Sequence, residues 1–174
     1  VLTLSTVFGA NPYRSFWSNY ERMEGLIGYL HLLLYFVVLT SVFKKYDDWK
    51  KFFLVSLSVS FIVSTYAYFQ SFGIIKVFQS SERVDATLGN STYLAIYLVF
   101  HLFLALYFLL KEDKKWLRYV LGAIVLYEFP VVFLTATRGA ILGFVGGGFL
   151  LALFFGIFGG NKKLKKVSLG FIGL

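Results

Sequence analysis

Arg138 is the residue whose type and neighbours point most directly to chemistry. It follows Thr135 and Thr137 in the segment LTATRGAILG, residues 134–143, where a new apolar run begins. A helix that starts there has free backbone N–H groups and a partial positive charge at its first turn, which attract anions. With the guanidinium and the two hydroxyls, this end would form a seat for a diphosphate. The alternative is an arginine that snorkels to the membrane surface at the end of a span.

Glu128 and His101 form a second candidate site. Glu128 is the only acidic residue inside a predicted span, and a charge at the bilayer centre costs about 2.5–3.5 kcal/mol on insertion scales, so the carboxyl group should be neutral or paired. Pro130 should kink the same helix because it removes a backbone donor. His101 lies at a comparable depth in the preceding span, so the two side chains can form an intramembrane pair. Such a pair would either fasten two helices together or act as a proton relay or general base.

Small residues recur at helical spacing in two other runs. A serine occurs at positions 56, 60 and 64, and a glycine at positions 139, 143 and 147. Small residues four apart allow membrane helices to approach closely. Both series are therefore predicted to be packing devices.

The elements that carry these residues are membrane spans. The 174 residues are 58% hydrophobic and 21% aromatic, and a bilayer needs about 20 apolar residues per helix. The sequence predicts an all-α, polytopic transmembrane helix bundle that forms a single transmembrane domain, residues 1–174. Five full spans are predicted, with partial spans at both ends (1–8 and from 167 on), and the full spans are 25–43, 52–75, 90–110, 117–136 and 139–158.

Several other classes of protein are excluded by composition. There is no cysteine, so neither a disulfide framework nor a thiolate metal site is available. No His, Asp or Glu cluster has the spacing of metal ligands, and no Walker-type loop occurs. The net charge of +8 resides in short loops between apolar runs, which does not indicate nucleic-acid binding. The sequence therefore predicts no metal, no cofactor and no nucleic-acid partner.

The distribution of basic residues predicts the orientation in the membrane. Loops 44–51, 111–118 and 161–166 hold four Lys or Arg each, whereas segments 9–24, 76–89 and 137–138 hold two, two and one. By the positive-inside rule the first set of loops is cytoplasmic. The opposite face then carries four of the five arginines, at positions 14, 22, 83 and 138. Arginine's planar fork suits phosphate where geometry matters.

Three segments, taken together, resemble a known family. They are NPYRSFWSNYERMEGL at 11–26, RVDATLGNSTYLAIYL at 83–98 and LTATRGAILG at 134–143. In this order, joined by apolar spans, they resemble the O-antigen ligase and O-antigen polymerase superfamily of bacterial membrane proteins. The resemblance covers most of the chain.

The resemblance implies roles for individual residues. Arg138 matches the arginine of the family's threonine/serine–arginine–glycine motif, which is thought to engage the carrier's diphosphate. Arg83 is similar in position to a basic residue that members often carry, and Asn90 matches the asparagine of a Gly-Asn motif. Ser91 departs from the pattern, because proline is frequent there. Arg22 lies in ERMEG, which resembles one subgroup.

The resemblance also implies a reaction. Members of this superfamily transfer a glycan from an undecaprenyl-diphosphate carrier to a lipid, glycan or protein acceptor at the outer face of the bacterial plasma membrane, without a metal ion. Their essential histidine lies in a later outward loop, so neither His31 nor His101 is assigned that role. The chain is expected to be the donor-binding half of a longer protein. The alternative is a non-catalytic membrane protein or a transporter of polysaccharide or lipid, in which Glu128 and His101 line a water-filled path.

Overall fold

A computed structural model describes residues 1–19, 25–78 and 83–158, which form helices joined by short connections. Within these ranges there are seven α-helices, one short 3-10 helix and no strand. The chain divides into two compact units, Val1–Phe52 and Phe53–Leu174.

The helices follow the apolar runs of the sequence. The first unit contains α1 (Leu2–Val7), α2 (Pro12–Trp17), α3 (Leu26–Val42) and the start of α4 (Tyr46–Ser71). The second unit contains the rest of α4, the 3-10 helix (Ala86–Leu88), α5 (Ser91–Lys111), α6 (Lys115–Leu134) and α7 (Arg138–Phe158).

Helices α4 to α7 are each long and apolar enough to cross a membrane, and α3 is a shorter apolar helix of 17 residues. The predicted all-α, polytopic membrane architecture is thereby confirmed. Four of the five predicted spans agree with a helix to within two residues at each end. The predicted partial span from residue 167 and the loop 161–166 lie outside the described residues.

The predicted loop 44–51 is wrong over most of its length. Helix α4 begins at Tyr46, so the charged residues that follow lie on its first turns. Asp47 and Asp48 occupy the first turn, where the positive end of the helix dipole favours acidic side chains. The charged segment that was predicted to be a loop is therefore mostly the first turns of α4.

In the first unit, the pair Asn11-Pro12 marks the start of α2. Asn11 accepts a hydrogen bond from the backbone N–H of Arg14 at 3.1 Å, and Pro12 occupies the first helical position of α2. Both are favoured at helix starts. Gly25, just before α3, lies so close to the backbone of residues 16–18 that any Cβ atom there would collide with it.

The core of the second unit lies between α5 and α6. Buried leucines follow each other at four-residue intervals along α5, at 94, 98 and 102, and pack with Val131 and Val132 of α6. A second cluster lies nearer the α5–α6 connection and comprises Leu57, Ala105, Phe108, Leu117 and Leu121. This spacing places one apolar stripe of α5 against its neighbours.

Pro130 lies inside α6, and the helix continues on both sides of it. The hydroxyl of Tyr68 on α4 donates to the carbonyl oxygen of Tyr127 at 2.9 Å. Pro130 has no N–H group and so weakens the hydrogen bonding of this turn of α6. The Tyr68 hydroxyl adds a donor from α4 to the same turn.

The three glycines at four-residue spacing in α7 do not share one role. A Cβ atom at Gly147 would lie 3.1 Å from Cζ of Phe103 on α5, whereas one at Gly139 or Gly143 would meet nothing within 4 Å. The packing role predicted for the whole series therefore holds at Gly147 alone. The other two leave open space beside α7.

We expect Gly147→Leu to destabilise the second unit, because the new side chain would be forced into Phe103. Overpacking of this kind costs about 1–3 kcal/mol. The measurement is thermal unfolding of the purified protein in detergent. Gly148→Leu is the matched control, since a Cβ atom there meets nothing. Equal melting temperatures for the two variants would contradict the close contact.

Candidate functional site

Arg83 closes the turn between α6 and α7. Its Nε donates to the carbonyl oxygen of Thr135 at 2.8 Å, and its Nη2 donates to Oγ1 of Thr137 at 2.7 Å. Thr135 is the C-terminal cap of α6, and carbonyls at a helix end lack intrahelical donors and favour a cation. Thr137 directly precedes α7. One half-buried guanidinium therefore holds both sides of the turn.

The two threonine hydroxyls have a different role from the one predicted. Thr135 Oγ1 donates to the carbonyl oxygen of Val132 at 2.7 Å, and Thr137 Oγ1 accepts from Arg83. Both threonines are buried. The hydroxyls are engaged inside the protein, so they are not the free phosphate ligands that the sequence suggests.

Arg138 is the first residue of α7, a helix of 21 residues, and its side chain is exposed. The N–H groups of Ala140 and Ile141 both donate to the carbonyl oxygen of Thr137 at 3.1 Å. The N–H groups of Arg138 and Gly139 precede these bonds and have no acceptor within the helix. An exposed cation and N–H groups without an intrahelical acceptor thus meet at the positive end of a helix, which is the arrangement that binds anions.

An apolar groove begins at this end of the second unit. It has a volume of about 370 Å³ and runs between α5 and α7. Gly139 and Gly143 contribute no side chain to it, and Ile96 and Val99 of α5 form the opposite wall. Thr92 and Thr137 also line the groove. A ligand with an anionic head beside Arg138 could therefore place an apolar chain along the helices.

The segment that carries Arg83 is clamped by Gln70, in the last turn of α4. Gln70 Nε2 donates to Oδ1 of Asp85 at 2.8 Å, and Gln70 Oε1 accepts from the N–H groups of Asp85 and Ala86 at 3.2 and 2.7 Å. Asp85 is fully buried. Neither residue is among the site residues predicted from the sequence. The available signal was a glutamine near the end of an apolar run and an aspartate between Val84 and Ala86.

Asn90 and Ser91 connect this segment to α5. Asn90 Oδ1 accepts from the N–H of Thr92 at 2.8 Å and so caps the helix. Ser91 Oγ donates to the carbonyl oxygen of Arg83 at 3.4 Å, and its own carbonyl accepts from Thr137 Oγ1 at 3.4 Å. The cap occupies the side-chain oxygen of Asn90, which leaves its amide nitrogen for the predicted ligand contact.

Comparisons with known protein families, curated proteins and solved structures find no match to this chain. The function must therefore be inferred from the residues of the site itself. The structure brings Arg83 and Arg138 together at one turn, with Asn90 at the start of the adjoining helix. Arg22 lies outside the described residues.

Glu128 and His101 each bond to a serine of α4 and not to each other. Ser60 Oγ donates to Glu128 Oε1 at 2.6 Å, and Ser56 Oγ lies 2.8 Å from His101 Nε2. The other ring nitrogen of His101 lies 2.8 Å from the carbonyl oxygen of Tyr97. In place of the predicted direct pair there are two contacts one turn apart. They tie α4 to α6 and to α5, which favours the helix-fastening alternative.

The Glu128 contact leaves polar atoms without partners. Glu128 is fully buried, and its Oε2 has no hydrogen-bond partner among the residues that the structure describes. Ser64 Oγ, one turn along α4 from Ser60, is likewise buried and without a described partner. Unpaired buried polar atoms are costly. The Ser60 bond is therefore important to the stability of the second unit.

We expect Ser60→Ala to lower the free energy of unfolding by about 1–3 kcal/mol, because it leaves both carboxyl oxygens of Glu128 buried without a bond. Thermal unfolding in detergent measures the effect. The control is Ser58→Ala, since Ser58 is exposed and bonds only to a carbonyl of its own helix, Leu54 O, at 3.0 Å. Equal small shifts in melting temperature for both variants would show that the Ser60–Glu128 hydrogen bond does not stabilise the folded protein.

Proposed function

We propose that this chain supplies the donor-binding site of an O-antigen ligase- or polymerase-like membrane glycosyltransferase. In this role it binds an undecaprenyl-diphosphate-linked glycan at the outer face of the bacterial plasma membrane, and the glycan passes to a lipid, glycan or protein acceptor. One observation carries the proposal. Arg138 is the first residue of α7, on a turn that Arg83 holds in place, and its chain neighbours Thr137 and Gly139 line an apolar groove.

The proposed chemistry needs fixed positive charge. Glycan transfer breaks the bond between the sugar's anomeric carbon and the carrier's diphosphate, which leaves with the bonding electrons. Negative charge therefore grows on the diphosphate in the transition state. Donors that are already in place stabilise such charge without reorganisation. Arg138 and the first N–H groups of α7 would supply these donors.

Arg83 has a supporting role in this proposal. A guanidinium has five N–H donors, and two of those of Arg83 hold the turn. Its remaining donors could add to the anion site, but its first effect is to fix the backbone from which Arg138 projects. A lysine could not bridge the same two acceptors with a rigid fork.

The apolar groove suits the other half of the carrier. Between α5 and α7 it offers about 370 Å³ of space next to the helix end. The isoprene units of a polyprenyl chain that are nearest the diphosphate are apolar and would lie there, with the diphosphate at Arg138. The distribution of Lys and Arg supports the outward placement, because the α6–α7 turn lies at the opposite end of α6 from the basic segment 111–118. The loop predicted for this segment is wrong over most of its length, since only residues 112–114 lie between α5 and α6.

A second candidate function rests on the polar contacts inside the bundle. Ser56 with His101 and Ser60 with Glu128 form two successive polar layers along α4. A transporter of polysaccharide or lipid could use such a line of groups beside a water-filled path. In that case Glu128 would be essential and Arg138 dispensable.

The deciding experiment measures glycan transfer from a lipid-diphosphate-linked donor, in membranes that contain the full-length protein at matched expression. We expect Arg138→Ala to lower the transfer rate about 100-fold or more, as loss of a preorganised donor does elsewhere. Glu128→Gln should retain most activity, because an amide can still accept the bond from Ser60.

Lys76→Ala is the matched control, since Lys76 is an exposed cation on the same predicted side of the membrane. Full activity of Arg138→Ala would overturn the proposal. Loss of function in Glu128→Gln alone would favour the transporter.

A further inference from the structure

A larger groove lies along α6, at its N-terminal end. It has a volume of about 640 Å³. Its α6 residues recur at intervals of three and four, so they form one stripe along the helix. The stripe begins with Lys115, Arg118 and Tyr119 and continues with Gly122, Ala123 and Leu126. Its character therefore changes from cationic to apolar along the direction of the helix.

The apolar part is open because of Gly122. A Cβ atom at this position would meet only Cδ1 of Leu109 on α5, at 3.5 Å. That is an ordinary contact, so the backbone conformation does not require glycine here. Leu109 forms the wall across from α6. A chain of methylene groups could lie between the two helices in the space that a large side chain at 122 would fill.

The polar part concentrates positive charge. Lys115 and Arg118 are exposed and form no ion pair with the described residues, and the first turn of α6 contains no acidic residue. The positive end of the helix dipole adds to their charge. Exposed Trp116 and Tyr119 are of the type that lies at the level of lipid headgroups. This end of the groove therefore matches a phosphate at the membrane surface.

We propose that this groove is a binding site for an anionic phospholipid of the leaflet next to the α5–α6 loop. The lipid phosphate would lie between Lys115 and Arg118, and one acyl chain would lie over Gly122 and Ala123. Free phosphate has no part that would occupy the apolar stripe. A zwitterionic lipid carries an ammonium group that the two cations repel. Basic pockets between membrane helices bind anionic headgroups by the same principle.

This site is separate from the one at Arg138. Lys115 begins α6 and Thr135 caps its other end, and a helix of 20 residues is about 30 Å long. Binding here therefore does not depend on the proposed donor site. Failure of either proposal would leave the other intact.

The test uses the full-length protein in detergent, titrated with phosphatidylglycerol or with phosphatidylcholine of the same acyl chains. Native mass spectrometry gives the fraction of protein with bound lipid. We expect phosphatidylglycerol to bind more tightly, and Lys115→Gln/Arg118→Gln to weaken its binding about 10- to 30-fold, since each basic residue contributes about 1 kcal/mol. The control is Lys44→Gln/Lys114→Gln, which removes the same charge from exposed lysines outside the groove.

A second pair of variants tests the groove and leaves the charges in place. Gly122→Leu fills the apolar part and should abolish the preference for phosphatidylglycerol, whereas Gly122→Ala fits beside Leu109 and should bind as wild type does. Equal binding of the two lipids to the wild-type protein would overturn the proposal. So would undiminished phosphatidylglycerol binding by either the charge variant or Gly122→Leu.

Discussion

The bonds from one guanidinium to the turn between α6 and α7 are the constraint on which the rest of the site depends. Two helix ends meet there, and each leaves backbone groups without an intrahelical partner. Arg83 donates to the carbonyl of one end and to the hydroxyl that precedes the other. Gln70 and Ser91 in turn hold the segment that carries Arg83. The position of Arg138 follows from this chain of bonds.

The same physical requirement organises the interior of the second unit. A polar side chain in the bilayer must find its partner within the protein. Glu128 and His101 find theirs on α4, one turn apart, and so define how α4 lies beside α5 and α6. The two arginines near the α6–α7 turn differ in burial and therefore in their need for a partner within the protein. Arg83 is half-buried and engaged, whereas Arg138 is exposed at a helix start.

The helices could be predicted from the sequence because bilayer thickness fixes the length of each apolar run. The start of α4 could not be predicted, because a run of charged residues is found both in loops and in the first turn of a helix. Arg138 could be found because its place at a helix start is a local property. The Arg83–Thr135 contact joins residues 52 apart in sequence, so it needs knowledge of which elements meet. The contacts of Glu128 and His101 with serines of α4 also depend on which helices meet. So does the close packing of Gly147 against α5, which Gly143 lacks.

The most direct test of the proposed donor site is the affinity of the full-length protein, in lipid nanodiscs, for an undecaprenyl-diphosphate-linked glycan when Thr137 is changed to valine. This change removes a bond to a charged group and leaves Arg138 intact, so we expect affinity to fall about tenfold or more. Thr40→Val is the control, because Thr40 bonds only within α3. Affinity equal to wild type in Thr137→Val would contradict the claim that the Arg83 contact positions the site.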